Sequence, residues 1–352
     1  MFKADTVFVV GAGASSEVKL PLGSQLKSRI ADAIDIKFGR DHQETGSPEI
    51  MDALRVHANF VRNTTPSWVD VNHYLHAGWR IRDAMPQASS IDTFIDAHSG
   101  NEAIELCGKL AISHTILNAE KASLLYVDQR MRKDHFDFKS VEKTWLSRFF
   151  QALTTGCSKD QLPSIFDQVA FVTFNYDRCI EHFLYHSLQN FYGVAAEEAA
   201  ELVNSLRIYH PYGQVGRLPW QNELSPVPFG ASCGGSDLLT ISSQIKTFTE
   251  QVDDEDSLGA AHEAITKADQ VAFLGFAFHD QNMELLNPGT ETSARRILAT
   301  GKGLSGTDCD MVQSELKRAF EKADGSVPFI HVGQNLTCVD LFDEFLRTLL
   351  SA

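Results

Sequence analysis

The chain has 352 residues, 43% of them apolar, and 46 acidic against 31 basic side chains give a net charge of −15. That length supplies one large or two modest domains with a full core, and the negative charge argues against direct nucleic-acid binding, since a phosphate backbone is repelled overall. No apolar run reaches the ~18 residues of a membrane span, the N-terminus shows no basic leader or cleavage signal, and none of the six cysteines (107, 157, 179, 233, 309 and 338) stands in a C-x-x-C pair or a Cys/His cluster. A cytoplasmic protein with reduced, buried thiols, no membrane association and no structural zinc or other metal is therefore expected.

The first element is a strand, Val7-Phe8-Val9-Val10, whose four apolar β-formers suit the inside of a parallel sheet. It runs straight into Gly11-Ala12-Gly13-Ala14-Ser15. Two glycines there permit a tight turn and close backbone approach to a ligand. A following helix would aim free N–H groups at an anion, and Ser15 adds a hydroxyl donor. The competing reading is an ordinary strand-to-loop turn. The third position of a G-x-G-x-x-G dinucleotide fingerprint is Ser16, and the acids at Asp32 to Asp35 fall in or after a helix, so a plain dehydrogenase half does not fit.

Leu22, Leu26, Ile30 and Ile34 give helical spacing over 22–36, and the polar stretch 40–47 reads as a boundary loop. From 48 to about 156 the pattern predicts helices at 50–60, 68–81, 91–95, 103–119 and 141–153. Ser89 is the expected cap of the third, in a box with Asp92. Residues 121–139 are less regular and predict a loop or flap. Strands follow at 169–174, 205–209, 238–241, 271–276, about 296–299 and 328–332. Between them lie a helix at 178–188, a Pro/Gly-rich loop at 211–237, and helices at 257–268, 309–322 and 339–349. Strands alternating with helices predict an α/β fold, a Rossmann-like doubly wound parallel sheet. Its two parts are 1–40 and 161–352, and a helical insertion domain spans 41–160. No internal repeat or low-complexity tract occurs.

Ligands of such sheets bind beyond the carboxyl ends of the strands. Four strand ends carry unusual residues: Gly11 to Ser15, Thr173-Phe174-Asn175-Tyr176-Asp177, Tyr209-His210-Pro211-Tyr212-Gly213, and Gly275-Phe276-Ala277-Phe278-His279-Asp280. Taken singly, Asp177 reads equally as a helix cap, Asn175 as a turn residue and His210 as a hydrogen-bonded core histidine.

Together, G-A-G-A-S, V-T-F-N-Y-D, H-P-Y-G and F-L-G-F-A-F-H-D-Q-N resemble the sirtuin superfamily. They are most similar to the bacterial sirtuin-like domains of antiphage defence systems. The resemblance covers about 6–35 and 166–340. It implies that NAD+ is the substrate and that Gly11, Ala12, Gly13 and Ser15 cradle its pyrophosphate. It further implies that Asn175 lies beside the nicotinamide ribose, that Asp177 holds the carboxamide with Thr173 close by, that His210 is the general base, and that Gly275 and Phe276 line the adenosine end. The chain lacks the two cysteine pairs of the sirtuin zinc module and reads Leu20-Pro21-Leu22-Gly23 where a Pro-Asp-Phe-Arg element stands in classical members. This favours NAD+ hydrolysis to nicotinamide and ADP-ribose over protein deacylation or ADP-ribosyl transfer. An NAD- or ADP-ribose-binding sensor is the other alternative. The resemblance also implies gating by homo-oligomerisation or by a defence partner such as a translocase ATPase or an Argonaute-like protein.

Overall fold

The computed structural model describes the chain except residues 41, 63–69, 129–135, 222–223, 249, 251–254, 288, 323 and 352, together with the side chains of 62 and 255–257. Eight strands and fourteen α-helices lie along the described residues. In order they are β1 Thr6–Val10, α1 Ala12–Ser16, α2 Gly23–Ile34, β2 Lys37–Phe38, β3 Gln43–Thr45, α3 Pro48–Arg62, α4 Asn72–Ala84, α5 Ile91–Asp96, α6 Glu102–Lys121, α7 Trp145–Thr154, β4 Val169–Thr173, α8 Cys179–Tyr192, α9 Ala196–Asn204, β5 Arg207–Tyr209, α10 Gly235–Ser242, α11 Glu255–Lys267, β6 Gln270–Leu274, α12 Asp280–Leu286, β7 Arg296–Thr300, α13 Gly306–Ala319, β8 Phe329–Gly333 and α14 Cys338–Leu349.

Six strands form one all-parallel sheet in the order β5-β4-β1-β6-β7-β8. Counting only its own strands along the chain, that is 3-2-1-4-5-6, the order of a Rossmann sheet, and it reverses direction between β1 and β6. β2 and β3 make a separate antiparallel ribbon, β3 falling within 40–47, where the sequence predicts only a boundary loop.

The strands alternate sides with period two, and both faces are buried. Val7 and Val9 join Ala170, Val172, Val271 and Phe273 in one cluster, while Phe8 and Val10 join Phe171, Ala272 and Leu274 in the other. Phe8 is fully buried and stacks on Phe171 at 5.3 Å, with Phe149 edge-on at 5.4 Å. Burying a Phe contributes about 1.5–3 kcal/mol, so this aromatic knot from β1, β4 and α7 is a main anchor of the sheet.

The helices between β1 and β4 divide between these two clusters. Ile50, Ile81, Ile91 and Leu110, from α3 to α6, share one apolar cluster with Val7 and Val9. Trp145, Phe149 and Leu153 of α7 lie in the cluster on the opposite face of the sheet. Glu120 at the end of α6 and Arg178 before α8 are both fully buried and joined through Nε at 3.0 Å. Glu120 also accepts from Gly230 N at 2.9 Å, which ties three separate segments together.

Several local expectations change. The stretch 238–241, predicted as a strand, lies in the helix α10: Leu238, Ile241 and Ser242 are buried at helical spacing, and a short apolar run does not by itself distinguish the two periods. The cap of α5 is Ser90, which accepts from Thr93 N at 3.0 Å, and not Ser89. α9 and α12 form where the sequence pattern predicts no helix. The predicted flap at 121–139 falls partly, and the predicted helix start at 68 falls wholly, outside the described residues. Among the described residues no helix is long and apolar enough to cross a membrane.

Candidate functional site

Val10 pairs in register with Thr173 on one side and Leu274 on the other. The three loops that leave β1, β4 and β6 therefore emerge at one level, at the point where strand order reverses. There they open into a cavity of about 620 Å³ lined by Gly11, Ala12, Gly13, Ser15, Asn175, Tyr176, Asp177, Gly275 and Phe276. Ligand pockets span about 300–1,000 Å³, so a small molecule of cofactor size fits the space. The three strand ends that the sequence singled out here are thus assembled by the sheet register.

The glycines have a packing cause of their own. Gly275 has φ +57, and a Cβ on it would lie 2.1 Å from Ala14 N. A Cβ on Gly11 would meet Gly275 O at 2.6 Å, and one on Gly13 would meet Gly275 Cα at 2.6 Å. The β1 and β6 loops cross backbone to backbone, and Gly13 N–H donates to Gly275 O at 2.9 Å. One of the amides expected to cradle phosphate is therefore already engaged. α1 is also only five residues long, with Gly11 at its N-cap and no side-chain cap. Any dipole effect at its start is that of little more than one turn.

Asn175 is held rigidly. Its Nδ2 donates to Gly11 O and to Ser15 Oγ, each at 3.0 Å, and its backbone N–H donates to Thr173 Oγ1 at 3.3 Å. Both amide hydrogens are thereby assigned, and Oδ1 is left as the acceptor the side chain offers. Thr173 supports the turn from behind and does not line the cavity. Ser15, 6% exposed, is drawn inward by Asn175 and by a hydrogen bond to Asp177.

Asp177 is 7% exposed and accepts from Cys179 N at 3.1 Å, closing an Asx turn into α8. Burial pushes its carboxyl above the usual range, against the lowering effect of the bonds from Cys179 and Ser15. Phe276 packs edge-on to Phe174 at 5.2 Å and to Phe278 at 5.1 Å, forming an aromatic wall.

His210 stands apart from this group and is not among the side chains lining the cavity. Its Nε2 lies 3.0 Å from Glu181 Oε1, and its Nδ1 lies 3.3 Å from the Asn175 carbonyl. Both ring nitrogens lie within reach of protein acceptors, and neither is directed into the cavity. The histidine braces the Asn175 loop from outside.

Four further residues with polar or charged side chains line the cavity: Asp92, Tyr176, His279 and Lys302. Asp92 is brought in by α5, and Tyr176 Oη donates to its Oδ1. Burial raises both groups, Asp92 above the usual carboxylate range and Tyr176 well above the usual phenol range. His279 and Tyr176 lay within quoted motifs. In the sequence Asp92 reads only as a capping acid, because a contact 84 residues away leaves no local pattern. Glu17, also at the cavity, accepts from Trp145 N at 2.8 Å and Val339 N at 2.9 Å and so caps the starts of α7 and α14.

Fold and site together define an α/β protein of Rossmann strand order with a ligand-sized cavity at its topological switch point. No protein-family model and no curated protein matches this chain. Among the described residues no group of three or more His, Cys, Asp or Glu is arranged to hold a metal ion.

Proposed function

We propose that the chain binds NAD+ in this cavity and hydrolyses its nicotinamide–ribose bond, giving nicotinamide and ADP-ribose. The observation that carries the reading is the anchored amide of Asn175 at the switch-point cavity, with both hydrogens spent on Gly11 and Ser15 and the oxygen left to the ligand. A fixed amide acceptor can orient a water or a ribose hydroxyl without competing for its proton. Cleavage passes through an oxocarbenium-like sugar, as glycoside hydrolysis generally does. The leaving group is already a cationic pyridinium, so no general acid is required to expel it. Such an enzyme would deplete its own cell if ungated, so an antiphage-defence role with control by self-assembly or a partner protein accompanies the proposal.

A second reading, a sensor that binds NAD or ADP-ribose without turnover, is favoured by one observation: His210 is committed to Glu181 and the Asn175 carbonyl. Incubating the assembled protein with NAD+ and following nicotinamide release separates the two. The expected result is release that falls at least about 100-fold in Asn175→Ala, the scale of losing an oriented polar contact to a reacting centre. ADP-ribose binding without nicotinamide release by the wild type in any assembly would favour the sensor. Undiminished release by Asn175→Ala would remove Asn175 from the mechanism.

A further inference from the structure

We propose that Asp92, supplied by α5 from the helical block, is the catalytic residue that accepts the proton of the attacking water. The inference rests on the NAD+-cleavage reading and adds to it a base that the motifs do not contain. The need for one follows from His210, whose two ring nitrogens are engaged outside the cavity. Asp92 lines the cavity on the wall formed by Ser89 to Asp92, together with Asn175 and Tyr176.

The carboxylate is held in place by hydrogen bonds. Oδ1 accepts from Tyr176 Oη, and Tyr176 follows Asn175 directly in the chain. The backbone N–H of Asp92 itself also donates to the carboxylate. The groups that bear on its charge come from every neighbouring segment: Tyr176 from the β4 loop, Asp96 from the next turn of α5, His279 from the β6 loop, and Tyr212 from the β5 loop through Tyr176. Desolvation, chiefly, and Asp96 raise its pKa, while Tyr176, its own backbone N–H and His279 lower it. A raised carboxylate pKa makes a stronger base, closer to the range useful near neutral pH.

The α5 helix is itself braced to the site. Gln281 Nε2, at the start of α12, donates to Asp96 Oδ2 at 3.2 Å, and Tyr212 Oη donates to Asn282 Oδ1 at 2.8 Å. α5 is thus joined directly to the segments beyond β4 and β6, and the β5 loop is tied to α12 in turn.

Water oxygen forms the bond to C1′ of the ribose as the C1′–N bond breaks, and that electron pair neutralises the pyridinium. The proton lost by the water passes to the Asp92 carboxylate and then to solvent. One water is consumed, and nicotinamide, ADP-ribose and one proton are released.

The test compares wild type with Asp92→Asn, Asp92→Glu and Tyr176→Phe in the active assembly. Nicotinamide release is followed across pH, and ADP-ribose binding is measured beside it. Wild-type turnover should fall as pH falls through the pKa of Asp92. Asp92→Asn should lose at least about 100-fold in kcat, the range of general-base catalysis, with ADP-ribose affinity kept within about 3-fold and the acid limb gone. Asp92→Glu should restore part of the rate. Tyr176→Phe removes the bond that lowers the pKa of Asp92, so its acid limb should move to higher pH, a shift that a merely structural tyrosine would not produce. Asp92→Asn that cleaves at the wild-type rate with an unchanged acid limb overturns the proposal. If Asp92→Asn does not fold, an unmoved limb in Tyr176→Phe overturns it. Wild type that releases no nicotinamide in any assembly overturns instead the cleavage reading on which it rests.

Discussion

Gly275→Ala is the substitution on which the geometry speaks most directly. The added Cβ would sit 2.1 Å from Ala14 N, 2.3 Å from Gly13 C and 2.5 Å from Gly13 Cα, all backbone atoms with no rotamer to change. The residue also has φ +57, and a left-handed conformation costs an L-residue roughly 1–2 kcal/mol. Relieving the overlap means separating the β1 and β6 loops. That breaks Gly13 N–H to Gly275 O at 2.9 Å and strains Gly275 N–H to Thr300 Oγ1 at 2.8 Å, each bond being worth about 1 kcal/mol. The total is about 3–4 kcal/mol, read as a fall of about 1 M or more in the urea midpoint. Gly23→Ala is the matched control. Nothing lies within 4 Å of its Cβ position at the start of α2, so stability should hold or rise slightly. Because Gly11 and Gly275 meet at the same crossing, Gly11→Ala and Gly275→Ala should cost less together than the sum of each alone. A Gly275→Ala protein within 1 kcal/mol of wild type, with a normal melt, would refute the claim that loop crossing requires these glycines. Ligand approach would then be their only explanation.

Two further outcomes follow from buried carboxylates. Glu120→Gln leaves the fully buried guanidinium of Arg178 without its counter-ion. It should cost about 3–5 kcal/mol in chemical denaturation, whereas Glu120→Met combined with Arg178→Met should recover much of that loss; an equal or larger loss in the double variant would count against the pair. Glu17 has its pKa raised chiefly by burial, against the bonds from Trp145 and Val339. The stability it contributes is therefore full below its unfolded-state pKa and is lost as pH rises through the folded value. Relative to wild type, Glu17→Gln should gain urea stability as pH rises through that window, and a pH-independent difference would contradict the assignment.

The sequence made the sheet legible because buried parallel strands leave unmistakable apolar runs. Val169–Thr173 and Gln270–Leu274 lie within a residue or two of the predicted strands. α10 was not legible, since Leu238 and Ile241 fit either period until α3 and α6 pack against them. Ser90 took the cap expected of Ser89 because two adjacent serines offer the same hydroxyl and only the entry of the chain selects one.

The sequence by itself determined a doubly wound α/β sheet and the residues at its strand ends, because strand periodicity and turn chemistry are local properties. Tertiary structure decided what those residues do. It spent Gly13 N–H on the crossing loop, turned Ser15 toward Asn175 and Asp177, set His210 behind the site against Glu181, and brought Asp92 across from α5 to Tyr176. Each of these contacts joins segments that only folding makes neighbours. Hydrogen bonds and burial act through space, and spacing along the chain does not encode them.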